Sequence, residues 1–266
     1  MKRRLGGLES ALFAYVQLRR LRELRTGDLV RPLRITPKQE RELYSRLARA
    51  GMIAKVRRGL YLVPAELPLG GSWTPDEGLA LATLMVDRRG RYQICGPNTF
   101  NRYGFSEQVP NRVYAYNNRL SGDRRIGAVS LTLIKVADRR LGGTEVSKTP
   151  TGVKAVYASR VRTLVDAVYD WSRFDSLPRG YGWISRELKA RRVSAADLVA
   201  ATLRYGDRGT IRRMGVLLER ESVAAAQLRK LEAALPESAG RIPWIPAHPT
   251  RGPLNRRWGV VMNGEG

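Results

Sequence analysis

Apolar positions recur at helical spacing near the start of the chain. Across residues 8–24 they fall at Leu8, Leu12, Tyr15 or Val16, and Leu21. Arg19, Arg20 and Arg22 lie towards the end of that stretch, where cations suit the helix dipole. Thr26 can cap a short second helix over residues 28–33, which Pro32 keeps brief. Thr36 opens a third. Pro37 suits its first position, Gln39 stands at capping-box spacing, and Leu43, Leu47 and Ala50 line one face until Gly51 stops the helix. Beyond the glycine, residues 52–56 and 60–63 are short apolar or mixed runs joined by Arg57-Arg58-Gly59, which predicts a hairpin. Three helices and a basic-tipped hairpin predict a winged helix-turn-helix over residues 1–64.

The pattern then changes. Residues 65–75, between Pro64 and Asp76, read as a linker. A helix is expected over residues 76–86, and a strand over 92–95. A helical turn or two follows at 97–103, with strands at 112–116, 128–136 and 153–157. The intervening NNRLSGDRRIG reads as an exposed, mobile loop. From Ser159 the chain turns helical, with helices predicted after Ser159, from Ser194 to 203, over 210–220 and over 222–235. A short strand-like run covers 258–262. Residues 76–266 are therefore expected to form a larger mixed α/β domain ending in helices, and the whole chain is α+β.

Charge sharpens this picture. The 266 residues carry 48 Lys and Arg against 24 Asp and Glu, a net charge of +24. Residues 1–63 hold 16 Lys and Arg against 5 Asp and Glu, a net +11 in under a quarter of the chain. Such a concentration favours a polyanionic partner. Cys95 and His248 are the sole members of their types, so no disulfide framework or Cys/His zinc site fits within one chain. The apolar run after Lys2, Arg3 and Arg4 is too short for a signal-peptide core or a membrane span, and a cytoplasmic protein is expected.

On a helical wheel, Lys38, Arg41, Ser45, Ala48 and Arg49 fall opposite Leu43, Leu47 and Ala50. Basic groups for phosphates and guanine edges, with small residues for close approach, are what a major-groove helix needs. Arg57 and Arg58 at the hairpin tip would reach backbone phosphate or an adjoining minor groove. The expected DNA-binding residues are therefore Lys38, Arg41, Ser45, Arg49, Arg57 and Arg58.

RRGLYLVP at the end of the hairpin, YQICGPNTFNRYGFSEQVPNRVYAY after it, YASRVRTLVDAV at 157–168, LRYGDRGTIRRMGVLLE at 203–219 and LNRRWGVVMN at 254–263 occur in that order. Together they resemble the AbiEi antitoxins of bacterial abortive-infection (type IV) toxin-antitoxin systems, which defend against phage. The resemblance implies an N-terminal winged helix that represses its own operon by binding operator DNA. It also implies a C-terminal domain that counters a separately encoded nucleotidyltransferase toxin, without a stable complex being required. The Arg-rich helix before the hairpin departs from the family, so its base preference does not carry over.

Catalytic chemistry has few footholds. His248 stands in a Pro-rich tail and Cys95 in an expected strand, so neither forms a nucleophile-base pair, and no phosphate-binding glycine motif occurs. Glu187-Leu188-Lys189 with Asp166, Asp170 and Asp175 upstream is the alternative of a metal-dependent nuclease. On a helix, however, Glu187 and Lys189 diverge by about 200°. Arg208, Arg212 and Arg213 are a candidate second anionic patch, for RNA or toxin, if they remain near the surface as the apolar spacing of Ile211, Met214, Leu217 and Leu218 suggests. The sequence thus points to a non-enzymatic DNA-binding antitoxin and autorepressor with no metal, cofactor or membrane partner. A stand-alone winged-helix regulator is the second alternative.

Overall fold

A computed structural model describes residues 5–67, 72–149, 152–236 and 240–264; residues 68–71 of the expected linker lie outside them. The chain begins α1 (Gly7–Leu18), β1 (Glu23–Arg25), α2 (Pro37–Arg49), β2 (Ala54–Arg57), β3 (Leu60–Leu62) and α3 (Glu77–Asp87). Then come β4 (Tyr92–Ile94), α4 (Pro97–Arg102), β5 (Val113–Asn117), β6 (Gly122–Ile126), β7 (Val129–Lys135), β8 (Thr144–Lys148) and β9 (Lys154–Ala158). The remainder is helical until the end: α5 (Arg160–Tyr169), α6 (Trp171–Phe174), α7 (Arg179–Lys189), α8 (Ala195–Tyr205), α9 (Arg208–Arg220) and α10 (Ala225–Glu232). Three two-residue strands follow, β10 (Ile242–Pro243), β11 (Leu254–Asn255) and β12 (Val260–Val261). The class is mixed α+β, as expected from the sequence.

The chain forms two compact units, neither continuous in sequence. The first comprises Met1–Tyr92, Asn111–Lys135 and Val146–Ala155, and the second Gln93–Pro110, Val136–Glu145 and Val156–Gly266. These limits differ from the expected partition at 64 and 75, because residues beyond Pro75 join the first unit.

Within the first unit, Leu12, Phe13 and Val16 of α1, Leu24 of β1, and Leu43, Tyr44 and Leu47 of α2 share one core with Leu29, Met52, Ile53 and Val63. Thr36 and Gln39 form the capping box read from the sequence: the Thr36 hydroxyl accepts from the Gln39 amide at 3.2 Å, and Gln39 Oε1 accepts from the Thr36 amide at 2.8 Å. At the other end, Gly51 at φ 69° lets Met52 N–H reach back to Leu47 O at 3.0 Å, which closes the helix. β3 pairs antiparallel with both β1 and β2, giving the order β1-β3-β2.

Two expectations fail here. The first helix stops at Leu18, because Arg20 turns left-handed at φ 52° and Leu21 N–H closes onto Val16 O. Residues 23–25 are then free to join the sheet as β1. The second helix does not form: residues 26–34 are successive turns. Their amides are claimed from outside, since the Glu40 carboxylate accepts from Gly27 N–H at 2.7 Å and Leu29 N–H at 2.9 Å. Glu40 is fully buried, and Tyr44 Oη lies 3.5 Å from its Oε1. A tertiary acceptor thus replaces the helical ladder.

The first unit also contains a strand triplet. β7 runs parallel to β5 and antiparallel to β6, with Asp123 opposite Thr132 and Val113 opposite Leu131. The expected mobile loop is therefore a turn followed by the paired strand β6. Its sequence, Gly-Asp-Arg-Arg-Ile, hid that strand, because only the terminal Ile126 is apolar and buried. The turn is folded by one side chain: Asn117 Oδ1 accepts from Arg119 N–H at 2.9 Å and Leu120 N–H at 2.6 Å, and Asn117 Nδ2 donates to Leu120 O at 2.9 Å.

The second unit packs α5, α7, α8, α9 and α10 with a small C-terminal sheet in which β12 pairs parallel with β10 and antiparallel with β11. Ser159 caps α5, as its residue type predicts. Gly215 of α9 is required by close approach, since a Cβ there would sit 2.3 Å from the Trp258 indole. That contact sinks Trp258 completely into the core beside β12.

The Glu40 clamp sets a stability expectation. Glu40→Ala strands the buried Leu29 amide, at about 1–3 kcal/mol for a donor left unsatisfied, and frees the amide of the exposed Gly27 to water. Leu47→Ala should cost about 2–5 kcal/mol as a core truncation. Urea unfolding followed by circular dichroism measures both, and a near-neutral Glu40→Ala would show that the clamp does not hold the turn.

Candidate nucleic-acid interface

The outward face of α2 carries Lys38, Arg41, Ser45 and Arg49, all exposed. The inward face is fixed at several points. Tyr44 stacks on Tyr61 of β3 with centroids 4.5 Å apart, and its hydroxyl donates to Arg25 O of β1 at 3.2 Å. Burial, reinforced by the neighbouring Glu40 carboxylate, pushes the Tyr44 phenol up, so it remains a hydrogen-bond donor. Arg46 Nε donates to Glu9 of α1 at 2.9 Å. These contacts set the rotation of α2 about its own axis, and so determine which side chains face outward. Ala48, expected on the outer face, is partly buried against the core. Arg49 Nε reaches back to Ser45 O at 3.4 Å, which lays its side chain along the helix.

The β2–β3 hairpin presents two arginines in different states. Arg58 is exposed. Arg57 is engaged: its Nε and Nη2 donate to Asp87 at 2.7 and 2.5 Å, and its Nη1 donates to Arg58 O at 2.7 Å. The Asp87 side chain is 6% exposed, whereas that of Arg57 is 37% exposed. Arg57 hydrogen bonding holds the Asp87 carboxyl below the usual carboxylate range, against the opposing effect of burial. Arg57 thus fixes the hairpin as well as carrying charge. Sequence reasoning missed Asp87, whose pairing with a residue thirty positions earlier leaves no local signal.

The other candidates separate. Arg208 is exposed, but Arg212 and Arg213 are buried, contrary to the expected surface patch. Arg212 Nε donates to Trp258 O at 2.6 Å and Nη2 to Gly259 O, while Arg213 donates to Pro243 O at 3.2 and 3.3 Å. Both guanidiniums are used to satisfy backbone carbonyls of the C-terminal strands. The apolar spacing of α9 could not reveal this, because the helix is covered on more than one side.

The carboxylates of the nuclease alternative are not brought together. Glu187 is buried and paired with Arg192 at 2.7 Å and Arg160 at 2.9 Å; these bonds hold its carboxyl low although burial pushes it up. Lys189 points elsewhere, 3.9 Å from Glu221, with its side chain 74% exposed. Asp166 is bound by Arg162 at 2.9 Å, and Asp170 by Arg173 at 3.0 Å. Among the described residues, no group of three or more His, Cys, Asp or Glu side chains is placed to hold a metal ion. Cys95 is buried and His248 exposed. No helix among the described residues is long and apolar enough to cross a membrane.

No family model matches the sequence, and no curated protein matches it. Among solved structures, the chain is similar to the crystal structure of the RV2827C protein from Mycobacterium tuberculosis. The TM-score is 0.58 and the identity 16%, over 97% of this chain and 92% of that one. At this identity the likeness is one of fold.

The Arg57–Asp87 pair gives a pH signature. Because the folded-state pKa of Asp87 is lowered, its stabilisation is fully present above the unfolded value of about 3.9 and is lost as the pH falls through the folded value. Asp87→Asn should therefore be less stable than the parent at neutral pH, with the gap closing below about pH 4. Urea midpoints across a pH series measure this, and a gap that is constant with pH would contradict it.

Proposed function

We propose that the protein is a DNA-binding repressor whose first unit reads duplex DNA through α2 and the β2–β3 hairpin, in the manner of a winged helix-turn-helix. The observation that carries this reading is the α2 face itself. Lys38, Arg41, Ser45 and Arg49 stand exposed on a helix whose other side is locked into a core. The arginine-tipped hairpin continues from that helix within the same unit. The element order supports it too: helix, strand, turns, helix and hairpin, with β1 completing the sheet on the free side of β3. The turns at 26–34 stand where a second regular helix was expected, so the module is an irregular example.

In this reading Lys38, Arg41, Arg49 and Arg58 meet phosphate or guanine edges, Ser45 allows close approach, and Arg57 orients the wing. The resemblance to AbiEi antitoxins extends the proposal. The bound DNA would be the operator of the protein's own operon, and the second unit would oppose a nucleotidyltransferase toxin encoded beside it. No enzymatic step and no cofactor enters this account.

Electrophoretic shift with the protein's own upstream DNA is the direct test. Binding should exceed that to scrambled duplex at moderate salt. Arg41→Ala and Arg49→Ala should each cost about 1–3 kcal/mol where the guanidinium reads a base edge, or about one unit of salt slope where it holds phosphate. Unchanged affinity and slope in both variants would remove α2 from the interface. A nucleotidyltransferase gene next to the coding sequence is expected, and its absence would leave repression without the antitoxin role.

A further inference from the structure

We infer that the first unit carries a second phosphate-binding surface beside the wing, built on the C-terminal end of α3 and the turn after β5, and that duplex DNA is its ligand. This inference rests on the DNA-binding reading above and extends its footprint beyond the helix and hairpin.

The centre of the surface is Asp87, the last residue of α3. A carboxylate at a helix C-terminus faces the negative end of the macrodipole, an unfavourable position unless cations offset it. Here three guanidiniums do so: Arg57 by paired hydrogen bonds, and Arg25 and Arg88 each at 3.7 Å. One buried carboxylate thus gathers three arginines whose side chains remain 37 to 48% exposed. Arg25 also meets Glu23 at 3.3 Å, and its backbone carbonyl is held by Tyr44 of α2, so the cluster is tied to the proposed reading helix.

The next residues extend the cluster. α3 ends with Arg89 at φ 50° and Gly90 N–H closing onto Met85 O at 2.8 Å, which leaves Arg88 and Arg89 exposed in a fixed turn. The turn after β5 is fastened to it. Arg119 Nε and Nη2 donate to Arg89 O at 3.1 and 2.9 Å, and Asn118 Oδ1 accepts from Arg91 N–H at 2.8 Å. The Arg119 side chain lies directly over Gly90, where an added Cβ would meet its Cγ at 2.6 Å. Arg25, Arg57, Arg58, Arg88, Arg89 and Arg119 are thereby held together, with Asp87 and Glu23 as the carboxylates among them.

A merely solvated charge run would not need this construction. Several of these arginines are oriented by hydrogen bonds, so less side-chain freedom remains to be lost when they meet a ligand. Three guanidiniums within 3.7 Å of one carboxylate, with Arg58, Arg89 and Arg119 on the adjoining turns, suit the closely spaced phosphates of a duplex.

The test is fluorescence anisotropy of the full chain with a labelled duplex of arbitrary sequence, across about 50–200 mM NaCl. Arg88→Gln with Arg89→Gln should flatten the plot of log affinity against log salt by about 1.8, at about 0.9 for each phosphate no longer neutralised. Adding Arg119→Gln should flatten it further. Arg186→Gln with Arg204→Gln, exposed arginines of the second unit, removes the same net charge and should leave the slope unchanged. Thermal melts confirm folding, and the Arg88 and Arg89 pair, whose replacement leaves the Arg119 bonds to Arg89 O in place, serves if the triple variant is unstable.

If the control pair flattens the slope as much, the effect is a diffuse field and the inference is overturned. It is equally overturned if Arg88→Gln with Arg89→Gln changes nothing while Lys38→Gln with Arg41→Gln lowers the slope, and then the α2 reading stands alone. The reverse result keeps this surface and sinks the α2 reading. Double-stranded RNA bound as tightly, with the same slopes, would overturn the assignment to DNA.

Discussion

A carboxylate taken out of water must be given donors, and in the first unit that requirement organises everything around α2. Glu40 is met by two amides from the preceding turns and lies beside the Tyr44 hydroxyl. The turns take their shape from it, Tyr44 passes the constraint on to β1 and, by stacking, to β3, and α2 is left with one rotational setting. The outward display of Lys38, Arg41, Ser45 and Arg49 follows from that setting. Asp87 works by the same logic at the hairpin, where charged donors replace backbone ones and the result is an oriented group of arginines. Charged hydrogen bonds of this kind are stronger than neutral ones. Two acidic residues thus shape the most basic part of the chain.

The second unit uses arginine differently. Arg162 is 1% exposed, ion-paired with Asp166 and stacked 4.0 Å over Tyr205, and it donates to Gly142 O at 3.1 Å. Arg212 and Arg213 serve backbone carbonyls of the terminal strands. A guanidinium offers five donors in a rigid fork, so one residue can satisfy several acceptors at once. Part of the formal charge of +24 therefore does internal structural work and contributes little to attracting an external polyanion. This makes the exposed clusters of the first unit more distinctive than the total charge suggests.

How far the sequence could be read depended on the range of the interaction. The Thr36–Gln39 capping box, the glycine stop at Gly51, the Ser159 cap and the Leu43–Leu47 stripe are local, and each was visible in the residue order. So were four of the outward residues of α2, while Ala48 sits close enough to the boundary of the face to be drawn into the core. The lost second helix depended on Glu40, eleven residues from Leu29, and β6 depended on pairing that its polar side chains do not announce. The burial of Arg212 and Arg213 depended on segments thirty or more residues later, although the tight Gly215–Trp258 fit lies in motifs that the sequence did display. Asp87 could be found only in three dimensions.

The division of the chain into two units has a consequence for how such a protein can change over evolutionary time. Each unit is assembled from three separate stretches, so the polypeptide passes from one to the other and back repeatedly. A module that is a single segment can be exchanged by one recombination event at its border. Here no single crossover separates the units whole: one after residue 155 would keep the first unit but leave two stretches of the second attached to it. A single exchange event therefore cannot swap one unit cleanly for another, and the two are inherited together.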